Sequence, residues 1–322
     1  MNSSSAGSTR RNDLDNATLV ILGPTCSWKS AAAARLAHDL GGEVISCDSM
    51  QIYKGLAIGT AQPGPEELAM APHHLVNQLD IQAPWNVNLF VPAAKDLISQ
   101  IQRRGRHAIL AGGTGLYARA LLYGFSLMPS DPAIAAALRE ESATPEGCRR
   151  LRAELSQAGE LPEDLARNPR HLARAVEVFR LTGKAPWELQ RKNAVPAPGF
   201  RQFCILPDFT LLKERIRLRT QKMLEAGWVE ECRQALAQGL ENTPTAWQAL
   251  GYRDIAEFLH QGEPGGQEAL QELLANRTIQ YARRQLTWFR HQHPGATPIP
   301  VNDFSGDVAG RIHDEILKEL HL

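Results

Sequence analysis

The stretch TLVILGPTCSWKSAAAARLAHDLG, residues 18 to 41, decides the fold. A short apolar run that stops at a glycine has the composition of a buried parallel strand. The alanine-rich segment behind it favours a helix, and a glycine ends it. Between the two, residues 23 to 30 fit the phosphate-loop pattern G-x-x-x-x-G-K-[ST] everywhere but at Trp28, where the pattern has glycine. Such a loop turns backbone N–H groups and the positive end of a helix toward an anion. Lys29 adds charge, and the Ser30 hydroxyl can hold Mg²⁺. Gly23, Pro24, Thr25, Cys26, Ser27, Trp28, Lys29 and Ser30 are therefore the candidate phosphate-binding residues, with Ser30 the candidate metal ligand. An ordinary strand-to-helix turn can carry the same residues by chance. Trp28 also puts an indole where the backbone bends and approaches the phosphates, so a weakened cradle is expected, one that Trp28→Gly would tighten.

Outward from this stretch the theme repeats. GEVISCDS (42–49) and RHAILAGGTGLY (106–117) are again apolar runs ending in small or acidic residues. Strands that alternate with helices predict a three-layer α/β domain with a parallel sheet. Ligands then sit beyond the carboxyl ends of the strands, where Gly23, Asp48 and Gly112 fall. From 126 to 199 the composition shifts to Ala, Leu, Arg and Glu with breaks at Pro129, Pro132, Pro145, Pro162 and Pro169, which reads as a helical insertion. NAVPAPGF (193–200) closes it, and FCILP (203–207) returns to the sheet. The rest, 200–322, is mainly helical, and its long helix is expected to carry Leu270, Leu274, Tyr281 and Trp288 on one stripe. Residues 17–125 form the first part of the core, and the polar opening 1–16 is expected to be a disordered arm.

Hydrophobic residues make up 43% and charged residues 22%, values that exclude a mainly disordered chain. Lys plus Arg and Asp plus Glu both number 35, so a nucleic acid partner has to be held by a local basic face. The five cysteines are scattered, odd in number and without a C-x-x-C pair, which suggests neither a zinc site nor a disulfide framework. A reducing cytoplasm is the expected location. No run has the length of a membrane span, and adjacent His73 and His74 do not make a metal site.

Further motifs raise the specificity. DSMQIYKG (48–55), AIGTA (57–61), PHHL (72–75), GGTGLY (112–117), AVEV (175–178), LTGK (181–184), ALGYR (249–253) and QYARRQLTWFR (280–290) follow the loop in that order. Together they resemble the tRNA dimethylallyltransferase family from about residue 18 to 290. That resemblance implies a P-loop, nucleotide-kinase-like core. It also implies transfer of a dimethylallyl group from its diphosphate to the exocyclic amine of the adenosine 3′ of a tRNA anticodon, with Mg²⁺. Asp48 then matches the base and Thr25 the group on the leaving oxygen, while Arg219 matches a diphosphate contact. Asp48, Ser49, Met50, Gln51, Thr114, the run Arg170, His171, Leu172, Ala173 and Arg174, and the run Gln248, Ala249, Leu250, Gly251, Tyr252 and Arg253 match positions that meet tRNA. The insertion would grip the anticodon stem-loop, and the chain is expected to act as a monomer.

Beside the resemblance, Asp48 reads as a strand-end carboxylate or a helix cap, and Arg219 as part of a solvated helix face. Arg277, Arg283, Arg284 and Arg290, with Trp288 and Phe289, make a helix able to bind RNA or simply to pack. The chain departs from the family pattern at Trp28, Gln62, Ala135, His171 and Ile279. Two further readings stay open: an RNA-binding relative without catalysis, because Trp28 blocks the cradle, and a small-molecule P-loop kinase.

Overall fold

The structure is a computed structural model, and it describes residues 17–124, 128–163, 165, 168–189 and 195–322; the expected arm at 1–16 lies outside them. Six strands, β1 (Thr18–Leu22), β2 (Glu43–Ser46), β3 (His73–His74), β4 (Ala108–Gly112), β5 (Phe200–Pro207) and β6 (Thr297–Val301), form one sheet in the order β3-β2-β4-β1-β5-β6. Every pairing is parallel. β1 is central and wholly buried, and Leu22 pairs with Gly112 on one side and Cys204 on the other. The phosphate-loop stretch thus leaves the sheet at its middle.

Alternation along the strands gives each face its helices. Leu19, Ile21, Val44, Ile109, Phe203 and Ile299 face α1 (Lys29–Asp39) and the last helix, α13 (Val308–Glu319). The other face, marked by Thr18, receives α3 (Val87–Arg103), whose Gln102 donates to the Thr18 hydroxyl at 3.4 Å. A short α2 (Pro65–Met70) precedes β3, and α4 (Gly115–Tyr123) follows β4.

Residues 123–194 form a compact unit of their own. Its described helices are α5 (Pro132–Glu141), α6 (Pro145–Leu155), α7 (Pro169–Thr182) and α8 (Pro186–Leu189), around a core of Leu138, Leu151, Leu155, Leu172 and Val176. Three of the prolines that read as breaks are helix starts. Pro132, Pro145 and Pro169 take the first helical position, where a missing N–H costs nothing. Asp131, Thr144 and Asn168 cap them by accepting backbone N–H bonds.

The remainder of the core unit holds α9 (Phe209–Glu225), α10 (Trp228–Ala237), α11 (Tyr252–His260) and α12 (Gly266–Gln292). β3 and β6 were not legible as strands. β3 has two residues, and β6 reads TPIPV. Pro298 and Pro300 sit at alternate positions, so both lack their N–H on the edge away from β5, where no ladder bond is lost. The stripe read for α12 is corrected in part: Leu270 and Leu274 are buried, but the seam continues through Thr278, Ala282, Gln285, Leu286 and Phe289. Among the described residues no helix is long and apolar enough to cross a membrane.

Candidate active site

β1 hands the chain to the loop at Gly23, where an added Cβ would lie 2.8 Å from the Ser27 hydroxyl. The loop closes on itself through the Pro24 carbonyl, which accepts from Ser27 Oγ at 2.8 Å and Lys29 Nζ at 3.0 Å. Burial lowers the Lys29 pKa from 10.5 to about 8, against the pull of the Asp48 carboxylate. Cys26 and Trp28 complete the turn with φ of 65° and 60°. The Trp28 ring is partly buried against the apolar core on the α1 face of the sheet. Its edge-on partner is Phe304, 4.5 Å between centroids, and the Arg215 guanidinium lies 3.8 Å from its centre. The indole is not among the residues that line the cavity; its contacts are with Phe304 and Arg215.

After β2, Asp48 Oδ1 accepts the Met50 N–H at 2.8 Å and the Gln51 N–H at 3.4 Å, which fixes the carboxylate at the strand end. The Ser49 N–H donates to the Thr114 hydroxyl at 3.0 Å and ties this turn to the β4 loop. Two glutamines stitch the following loop shut. Gln51 Nε2 donates to the Ala61 carbonyl at 2.8 Å, and Gln62 Nε2 donates to the carbonyls of Gln51 and Tyr53 at 2.9 and 2.7 Å. Gln62, one of the departures from the family pattern, is thereby spent on the backbone. Glu231 of α10 receives the N–H groups of Ile58 and Gly59 at 2.8 and 2.9 Å and the Tyr252 hydroxyl at 2.6 Å. Gly59 lies so close to the Trp228 indole that a Cβ has no room.

Two helices complete the wall. On α9, Arg219 Nη2 donates to Thr25 Oγ1 at 2.7 Å, and Arg215, four residues earlier, donates from Nε to the Cys26 carbonyl at 3.0 Å. On α12, the buried amide of Gln285 accepts the Thr25 N–H at 2.8 Å and donates to the Gly113 carbonyl at 2.9 Å, bridging two loops. The resulting cavity is about 380 Å³. Thr25, Lys29, Ser30, Asp48 and Arg219 supply its polar lining, and Met50, Met223, Trp228 and Leu250 an apolar one. Charge, hydroxyls and a carboxylate beside an apolar surface suit an allylic diphosphate and a nucleophile.

The sequence-derived residues are thus sorted. Ser49, Gln51, Gln248, Leu250 and Met50 border the cavity, as does Arg219, which is no solvated-face arginine. Thr114 stands behind Ser49. Tyr252 is fully buried, Ala249 is buried, and Gly251, with φ of 90°, packs on Trp228, so these three shape the wall from within. Arg253 lies over the Trp247 ring and donates to its carbonyl at 3.0 Å.

In the unit 123–194, Arg170 and His171 are exposed, but Leu172 and Ala173 belong to its core. Arg174 is also committed within the unit: it donates to Glu177 at 2.6 Å and to the carbonyls of Met128 and Pro129, each at 2.9 Å. Phe289 is buried, and Trp288 packs on Gly115, which removes both as base-stacking platforms. Sequence reasoning gave no role to Arg215, Glu231 or Gln285. The one signal for Gln285 was a polar residue on the apolar seam of α12.

A parallel sheet whose central strand runs through a glycine loop into the start of a helix, with lysine, serine and a neighbouring strand-end aspartate on one cavity, defines a protein of the phosphate-loop class. The family model described as IPP transferase matches residues 51–292, and that described as isopentenyl transferase matches 16–83. The chain belongs to this family. It is 38% identical over 291 residues to the tRNA dimethylallyltransferase of Phenylobacterium zucineum, covering 89% of this chain and 94% of that one. With the Thermus thermophilus tRNA dimethylallyltransferase it shares 40% over 286 residues, 87% and 92% of the two chains. The crystal structure of the tRNA isopentenylpyrophosphate transferase of Bacillus halodurans superposes with a TM-score of 0.67 at 31% identity, over 95% of this chain and 97% of the other. A eukaryotic dimethylallyltransferase crystallised acting on tRNA shares the fold, with a TM-score of 0.74 at 24% identity over 94% and 79% of the chains.

Proposed function

We propose that this chain transfers the dimethylallyl group of dimethylallyl diphosphate to the exocyclic amine of the adenosine 3′ of a tRNA anticodon. The observation that carries the reading is the convergence of Thr25, Lys29, Ser30, Asp48 and Arg219 on one cavity with an apolar lining. The loop N–H groups, Lys29 and Arg219 bind the diphosphate and take up the negative charge that grows as the allylic C–O bond breaks. The Thr25 hydroxyl, oriented by Arg219, meets the departing oxygen. As the new N–C bond forms, Asp48 accepts the amine proton. Its Oδ1 is held by two backbone N–H groups, which leaves Oδ2 for the amine.

The oxygen donors Ser30 and Asp48 on the same cavity fit a hard divalent cation. Mg²⁺ bound there would neutralise part of the diphosphate charge. Exposed Arg170, Arg283 and Arg290 supply phosphate contacts for the anticodon stem-loop.

The test is nucleoside mass spectrometry of tRNA incubated with the protein, Mg²⁺ and dimethylallyl diphosphate. A dimethylallyl adduct on adenosine is expected. Unmodified tRNA, under conditions in which a Thermus thermophilus relative modifies it, would overturn the reading.

A further inference from the structure

Trp28 occupies the position at which the phosphate-loop pattern has glycine, and it takes the left-handed conformation that glycine adopts freely, φ 60° and ψ 10°. For a residue with a Cβ this conformation is strained, and it persists where the surroundings over-determine it. Here the surroundings are specific. The edge of Trp28 meets Phe304, from the segment after β6, and its ring carries the Arg215 guanidinium.

Arg215 touches both strained loop residues, Cys26 through a hydrogen bond to its carbonyl and Trp28 through the ring face. No carboxylate lies within ion-pair distance of Arg215 among the described residues. Its charge therefore stands behind the loop without a counter-ion, one helical turn from Arg219 on Thr25.

We infer that Trp28 is a positioning residue for the diphosphate: its π face is the platform that holds Arg215 on the Cys26 carbonyl, and this keeps the loop in its anion-binding shape. The indole replaces the freedom of glycine with fixed contacts to Arg215 and Phe304. Donor binding then depends on a ring at position 28, and removing it weakens the cradle. The naming of the donor rests on the prenyl-transfer reading, but anion binding by the loop is measurable without turnover.

The experiment is calorimetric titration of the full chain with magnesium pyrophosphate, for the natural protein, W28F, W28L and R215Q, and for the double variant W28L/R215Q. Loss of a partly desolvated cation–π contact is expected to weaken binding about 3- to 30-fold in W28L. W28F, which restores a ring face, recovers most of that loss. R215Q weakens binding by a comparable factor, and the double variant is no worse than R215Q, because both changes remove one interaction. In turnover at saturating tRNA, W28L raises KM for dimethylallyl diphosphate and leaves kcat within about twofold.

If Trp28 were only apolar filler, W28L would bind like W28F. That outcome overturns the inference, as does additivity in the double variant, tighter binding by Trp28→Gly, or no pyrophosphate binding by the natural protein. Weakened pyrophosphate binding in W28L with no prenyl transfer by any of the proteins would uphold the inference and overturn only the assigned reaction.

Discussion

Lys29 is the residue whose charge the site can least spare and the fold least supports. With its pKa lowered to about 8 by burial, the free protein loses that charge as the pH climbs through 8. A bound diphosphate favours the protonated form, so binding near pH 8 takes up protons, and donor affinity falls between pH 7 and 9. Calorimetry in two buffers of different ionisation enthalpy checks this, and Lys29→Arg, which keeps its charge, is expected to flatten the dependence. The sign for stability runs the other way. The folded pKa lies below the value of 10.5, so the unfolded chain binds more protons between about 8 and 10.5, and this residue's unfavourable contribution fades as pH rises through that window. Asp48 is tested by Asp48→Ala, expected to lower single-turnover rates about 10²- to 10⁴-fold while stem-loop affinity stays within a few-fold. Both residues were legible in the sequence because loop spacing and a strand end mark them locally. The direction of the Trp28 ring was not, since it is set by Arg215 and Phe304, which lie far along the chain.

At the scale of elements, helices and loops are held by single polar side chains that no periodicity reveals. Glu231 fastens the Ile58–Gly59 turn and the Tyr252 hydroxyl at once. Glu231→Ala leaves three donors without their carboxylate and is expected to cost about 2–4 kcal/mol in denaturant unfolding, with Glu231→Gln intermediate. Arg174 gives a sharper contrast. Its donors are spent on Glu177 and on the carbonyls at Met128 and Pro129, so Arg174→Ala is expected to destabilise the unit 123–194 while the salt dependence of RNA binding is retained. Arg170, exposed at the start of α7, is the one whose replacement by Ala flattens that dependence by about one unit. The strands β1, β2, β4 and β5 could be read from apolar runs. β6 could not, because two prolines argue against a strand until its place at the sheet edge is known.

For the whole molecule, a formal charge of zero means that RNA has to be gathered by the exposed arginines and not by a general field. Three such contacts give a slope of log affinity against log salt of about −2 to −3, so binding of an anticodon stem-loop should fall roughly 20- to 40-fold from 50 to 200 mM salt. A flat titration would remove the arginines from the interface. The sheet order also has a consequence in time. β1 and the loop lead the chain, yet β5, α9 and α12 complete the walls around them, and α13 clamps α1 through the Arg35–Asp307 ion pair and through His313 Nε2, 2.9 Å from Asp39. A ribosome adding 5–20 residues per second needs about 15–60 s for 322 residues, and for most of that interval the emerging polypeptide exposes the edges of a half-built sheet. The walls around the phosphate loop are therefore completed only after α12 has followed β1 out of the ribosome, and until then the loop lacks the Gln285 and Arg219 contacts that brace Thr25.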